Sequence, residues 1–125
     1  DIRRDDYDYE LAAKMIAIWR RASDLMLYGD YYPHTPFHRS AEKWVAWQFD
    51  DPETGSGFVQ GIRLPAAPGE PLTIHPQALR KNVSYRFENA ETGETRRVAG
   101  DELMRDGFTL ALPPRSGAIW FYHVE

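Results

Sequence analysis

Between residues 28 and 50, YGDYYPHTPFHRSAEKWVAWQFD, the apolar pattern of this chain changes period. Upstream, Leu11, Met15, Ile18, Trp19, Ala22, Leu25 and Met26 recur at steps of three and four, the spacing of one helix face. Downstream, short apolar segments alternate at a period of two between turn residues, which is strand spacing. A chain with one such switch folds as a helix followed by a sheet. The joint itself is aromatic and punctuated by Pro33 and Pro36.

The helix is expected over Tyr9 to Met26, with Lys14, Arg20, Arg21 and Asp24 on its polar side and a stop before Gly29. Residues 28–42 are expected to form a loop, because the prolines remove backbone donors and disfavour helical dihedrals. Residues 43–50 read as a strand, with Trp44, Ala46 and Gln48 on one face and Val45, Trp47 and Phe49 on the other. With FVQGIRL (58–64) it forms a hairpin across DDPETGSG. Leu72 to Ile74 is a short strand between prolines. Val83, Tyr85 and Phe87 alternate with Ser84, Arg86 and Glu88, and TRRVAG returns beside them after a turn at Gly93. GDELMRDG is a short helix with Asp101 as N-cap and Gly107 as stop. FTLALP and AIWFYHV supply the last strands. About seven closely spaced strands after one long helix indicate a mainly β fold: an antiparallel β-sandwich preceded by an amphipathic helix, with a second short helix near the C-terminus.

Composition narrows the function classes. A net charge of −4 carries no footprint for nucleic acid. No apolar run reaches the roughly 18–20 residues of a membrane span. With no cysteine there is no disulfide, thiolate metal site or cysteine nucleophile. The compartment stays open between cytoplasm, periplasm and export. The first residue is Asp1, as expected of a chain taken from a longer polypeptide.

No catalytic constellation is visible. His34 and His38 are four apart but separated by Pro36, and His75 and His123 fall on different strands, so neither a metal nor a cofactor is expected. Asp50 and Asp51 are adjacent, point apart at a strand end, and read as the start of the following turn. GxSxG, GxGxxG and Walker patterns are absent. Asn82-Val83-Ser84 matches a glycosylation acceptor that matters only in a eukaryotic secretory pathway. Tyr31, Tyr32, Trp44, Trp47 and Trp120 are the candidate contact residues: either a sugar-stacking platform or, as strand alternation favours, core and interdomain packing. Met15, Ile18, Trp19 and Met26 likewise read as a packing stripe.

The order of the helix, GDYYPHTP, EKWVAWQFD and GFVQGIRL, followed by NVSYRFENAETGE and GDELMRDGFTLALPPRSGAIWFY, resembles the C-terminal region of bacterial α-galactosidase-like proteins of glycoside hydrolase family 36. The likeness spans about residues 7–123, with Tyr28, Gly29, Asp30 and Tyr31 matching the family's loop. It implies that residues 1–39 are the helix and linker leaving a catalytic (β/α)₈ barrel, and that 40–125 are the C-terminal sandwich beside it. It further implies that the two catalytic aspartates lie upstream, with no counterpart here. The chain departs from the family at Tyr-Pro-His-Thr-Pro after GDY, which points to a divergent branch. The expected role is a non-catalytic accessory domain whose partner is the barrel of the same polypeptide, the parent acting on α-galactosides or related glycans. The alternatives are a carbohydrate-binding module on the aromatic platform, or a domain forming homo-oligomers through the helix face.

Overall fold

The computed structural model describes residues 1–125. Helix α1 spans Tyr9–Tyr28. Asp8 caps it, its carboxylate accepting the Leu11 N–H at 2.8 Å. Gly29 ends it, donating its N–H to Leu25 O at 2.8 Å. A Cβ at Gly29 would stand 2.5 Å from Leu25 O and 2.9 Å from Asp50 O, so the chain turns out of the helix at a site with no room for a side chain.

The expected loop at 28–42 contains a strand. Asp30–Pro33 forms β1, antiparallel to β2 (Trp44–Asp51), with Tyr31 opposite Phe49 and Pro33 opposite Trp47. Pro33 concealed it, yet proline is tolerated on this edge. His34 N–H donates to Ala46 O at 2.9 Å, so even-numbered positions bond to β2 and the nitrogen of Pro33 faces outward.

Strands β2 and β3 (Ser56–Arg63) form the expected hairpin. The others are β4 (Leu72–Ile74), β5 (Ser84–Asn89), β6 (Thr95–Ala99), β7 (Phe108–Leu110) and β8 (Ser116–Val124). They make a six-stranded antiparallel sheet in the order β1-β2-β3-β8-β5-β6, and a two-stranded sheet, β4-β7. Helix α2, Gly100–Asp106, starts two residues earlier than an Asp101 N-cap implies. Ala99 occupies its N-cap without a side-chain bond, and Asp101 lies in the first turn, where its charge suits the helix dipole. Gly107 stops the helix with φ +88, a backbone that favours glycine.

The large sheet has two packed faces. On one, Trp44, Ala46, Val59, Tyr85, Phe87, Trp120 and Tyr122 meet Ile74, Phe108 and Leu110 of the small sheet and Leu103 of α2. Phe87 stacks on Phe108 with ring centroids 4.6 Å apart. On the other face, Phe58, Ile119 and Phe121 pack under Ala22 of α1, with Ile18, Leu25, Trp47 and Phe49 around them. This is the β-sandwich with its helix that the sequence pattern predicts. No helix is long and apolar enough to cross a membrane.

Candidate functional site

Helix α1 carries far more apolar surface than the sheet covers. At about 100° per residue, the run Leu25, Ile18, Leu11, Ala22, Met15, Met26, Trp19, Ile16 and Leu27 sweeps roughly 200° of the helix circumference. Only Ala22 is fully buried. Trp19 is 63% exposed and Leu27 74%, and Leu11, Met15, Ile16 and Met26 are exposed as well. Between this arc and the ends of β3 and β8 runs a cleft of about 610 Å³. Met15, Ile18, Trp19, Ala22 and Met26 line its helix side, while Ile62, Leu64, Ala118 and Ile119 line the sheet side. Arg63, Arg115 and Glu91 are its charged lining residues. A contiguous apolar patch of this kind marks an interaction surface.

A polar cluster lies inside the sandwich core. Gln48, fully buried, donates its side-chain N–H to Tyr122 Oη at 2.9 Å and to Gln77 O at 3.0 Å, and its Oε1 accepts the Gln77 N–H at 2.8 Å. His34 Nε2 lies 3.0 Å from the same oxygen. Tyr122 Oη donates to Asp50 Oδ1 at 2.7 Å. Asp50 is only 2% exposed and its Oδ2 has no partner. Burial raises the Asp50 carboxyl above the ordinary carboxylate range, and the Tyr122 bond opposes this. Burial also lowers the His34 imidazole, against the bond to Gln48. The Tyr122 phenol is pushed up by burial and by the Asp50 charge, so it stays a donor. The cluster ties β2, β8 and the 75–78 segment together, and no cleft reaches it among those of appreciable size.

The structure separates the five aromatics named as contact residues. Trp44 (8% exposed) and Trp120 (3%) sit in the sandwich core. Trp44 Nε1 donates to Pro68 O at 3.3 Å, and the Arg96 guanidinium stands 4.3 Å above the Trp120 ring. Trp47 is half-buried on the opposite, α1 side. Tyr31 is exposed there, its ring 5.2 Å from Phe49 in a row continuing to Phe58 and Phe121. Tyr32, half-buried, turns to the core side opposite Gln48. The five therefore share no single surface.

The carboxylates divide in the same way. Asp51 serves the turn, accepting the Glu53 N–H at 3.0 Å, whereas Asp50 points into the core. Period-two alternation through Trp44, Ala46 and Gln48 was the signal that placed Asp50 inside, and the turn motif obscured it. The histidines are dispersed: His38 Nε2 lies 3.1 Å from Trp44 O and His75 Nδ1 3.3 Å from Met104 O. No three of the His, Asp and Glu side chains converge as metal ligands.

No protein-family model and no curated protein matches the chain. Solved structures do. The galactosidase domain of the α-galactosidase–sucrose kinase AgaSK superposes with a TM-score of 0.69 at 18% identity, over 90% of this chain and 15% of that one. Two family 36 α-galactosidases of Geobacillus stearothermophilus match over 98% of this chain with TM-scores of 0.75. A doubly substituted AgaA in complex with raffinose is 17% identical and covered over 17% of its length. AgaB is 18% identical and covered over 16%. The chain thus has the fold of one segment of family 36 α-galactosidases, and spans about a sixth of the length of the solved chains it matches.

Proposed function

We propose that this chain is the non-catalytic C-terminal accessory β-domain of a larger α-galactosidase-like glycoside hydrolase. In this reading the helix and linker of residues 1–39 lead out of a catalytic barrel, with β1 already joining the sheet, and 40–125 form the rest of the sandwich. The observation that carries the reading is the uncovered apolar arc of α1, with Trp19 63% exposed beside a 610 Å³ cleft. A helix this apolar on two sides is built to be buried between two bodies, and the sheet supplies only one. The fold match supports the same conclusion, since it occupies a small part of chains described as α-galactosidases. The role is structural: α1 packs against the barrel and fixes the enzyme's shape, while retaining hydrolysis of an α-galactoside belongs to residues outside this chain.

The test compares turnover of a chromogenic α-galactoside by the longer polypeptide and by residues 1–125 alone. Activity in the longer protein and none in the chain is expected. Turnover by the chain alone overturns the assignment. Homo-oligomerisation through the same face is the second reading, favoured by the same exposed arc. It predicts concentration-dependent dimers of the longer polypeptide that Trp19→Glu disperses.

A further inference from the structure

The six-stranded sheet ends on β6, and the hydrogen-bond pattern shows which of its residues face the open edge. Asn89 N–H donates to Glu94 O at 2.8 Å and Gly100 N–H to Val83 O at 2.9 Å. Between these bonds Tyr85 lies opposite Val98 and Phe87 opposite Arg96. Odd-numbered β5 residues are thus the hydrogen-bonded pairs of the ladder, and Arg86 opposite Arg97 is a non-hydrogen-bonded pair, whose side chains approach most closely. The backbone N–H and C=O groups of Thr95, Arg97 and Ala99 turn outward, away from β5.

Arg86 also lies opposite His123 of β8. Arg97, Arg86 and His123 therefore form a row across three strands on one face, and all three are exposed. Like charges placed directly opposite one another destabilise a sheet. Arg97 meets Glu125 at 2.5 Å, but no ion pair of the structure includes Arg86. In a chain of net charge −4, this concentrates positive charge beside an unpaired strand edge.

We propose that an extended, carboxylate-rich segment of a protein partner adds to β6 as a seventh strand. Its backbone takes the outward groups of Thr95 and Arg97, and its alternate side chains, all on one face, set carboxylates beside Arg97 and toward Arg86. Strand addition supplies affinity through the backbone, and the guanidinium pair selects acidic side chains. The row spans only about 10 Å across three strands, which fits two or three carboxylates better than the phosphate track of a nucleic acid. The proposal does not depend on the glycosidase reading.

The probe is a synthetic peptide of about eight alternating Glu and Val residues, titrated into the 125-residue chain at low salt and followed by amide NMR and calorimetry. Shifts and exchange protection are expected at Thr95 and Arg97, with no binding of the Lys-Val counterpart. Arg97→Glu, which exchanges the ion pair with Glu125 for one with the opposite Arg86, should weaken binding about tenfold or more while the amide spectrum stays folded. Thr95→Pro deletes one outward N–H without touching the pairing to β5, and should abolish protection while leaving every arginine in place. An acidic peptide that leaves the β6 amides unmoved overturns the proposal. So does heparin binding as strongly as the peptide with Thr95→Pro without effect, which marks a general anion surface.

Discussion

Tyr122 Oη donates to Asp50 Oδ1 at 2.7 Å, while the second oxygen of that carboxylate has no partner and the residue is almost wholly removed from solvent. One hydrogen bond thus carries the only direct support of a buried acid. Arg80, whose charge favours the ionised carboxylate, spends its guanidinium on Pro52 O at 2.7 Å and Glu53 O at 3.3 Å.

The pH dependence of stability follows from that arrangement. Burial raises the folded-state pKa of Asp50, so the folded protein holds its proton more tightly than the unfolded chain. Its contribution is fully present below the ordinary carboxyl value of about 4 and is lost as pH rises through the raised value. The neighbours that face it, Asp30, Asp51, Arg80 and Tyr122, are common to wild type and variant. Urea midpoints of wild type and Asp50→Asn, measured across this window, should differ in slope: wild type loses stability relative to the variant as pH rises. Parallel curves contradict a raised Asp50.

His34 acts with the opposite sign. Its folded pKa is lowered, so its contribution is present above the ordinary value of about 6.5 and is lost as pH falls through the lowered one. His34→Gln should flatten the acid side of the curve from about pH 6.5 downward, as read by the same urea midpoints. An unchanged acid limb contradicts the burial argument.

Tyr122→Phe removes the donor to Asp50 and the acceptor of the Gln48 amide at once. Each buried group left unsatisfied costs about 1–3 kcal/mol, so the two together are expected to cost about 3 kcal/mol in chemical denaturation at neutral pH. A loss under about 1 kcal/mol, with the fold intact, contradicts the structural role assigned to this bond.

Two glycines of β3 should respond differently to alanine. At Gly57 an added Cβ would collide with the Phe49 carbonyl and the Tyr122 hydroxyl, both fixed by backbone or by the polar cluster. At Gly61 the obstacle is Leu110 Cδ1 at 2.5 Å, the end of a flexible side chain. Overpacking costs about 1–3 kcal/mol, so Gly57→Ala belongs at or beyond the upper end and Gly61→Ala near the lower. Thermal melts of the two variants give the order directly, and the reverse order contradicts the packing described.

Much of this fold was legible in the sequence because periodicity reports burial. The i, i+3, i+4 spacing from Leu11 to Met26 gave α1, and alternation at Tyr85 and Phe87 gave β5. Strand β1 was hidden by Pro33, whose missing N–H matters only when it faces a partner, and here it faces outward. Asp101 lost the N-cap to Ala99, two residues upstream, where Gly100 N–H is tied to Val83 O at 2.9 Å as the chain leaves β6. The aromatic set Tyr31, Tyr32, Trp44, Trp47 and Trp120 was visible as a composition, but which sheet face each occupies depends on register and on what lies above it. The uncovered arc of α1 was legible as an apolar stripe, whereas its exposure emerged only once the sheet was shown to cover Ala22 fully and Ile18 and Leu25 in part.

The helix arc and the core should separate in stability. Trp19→Ser alters an exposed side chain and should shift the stability of the 125-residue chain by no more than about 0.5 kcal/mol. Phe58→Ala empties the centre of the helix-side core and should cost about 3–5 kcal/mol. Equal costs in denaturant titrations contradict the division between docking face and core.

Methionine footprinting reads whether α1 is covered by another part of a larger enzyme. Met15 and Met26 lie on the uncovered arc and are exposed in this chain. With a mild oxidant, both should oxidise readily in residues 1–125 and be protected in the intact longer polypeptide at a concentration where it is monomeric. Equal oxidation of Met15 and Met26 in the two proteins contradicts the account.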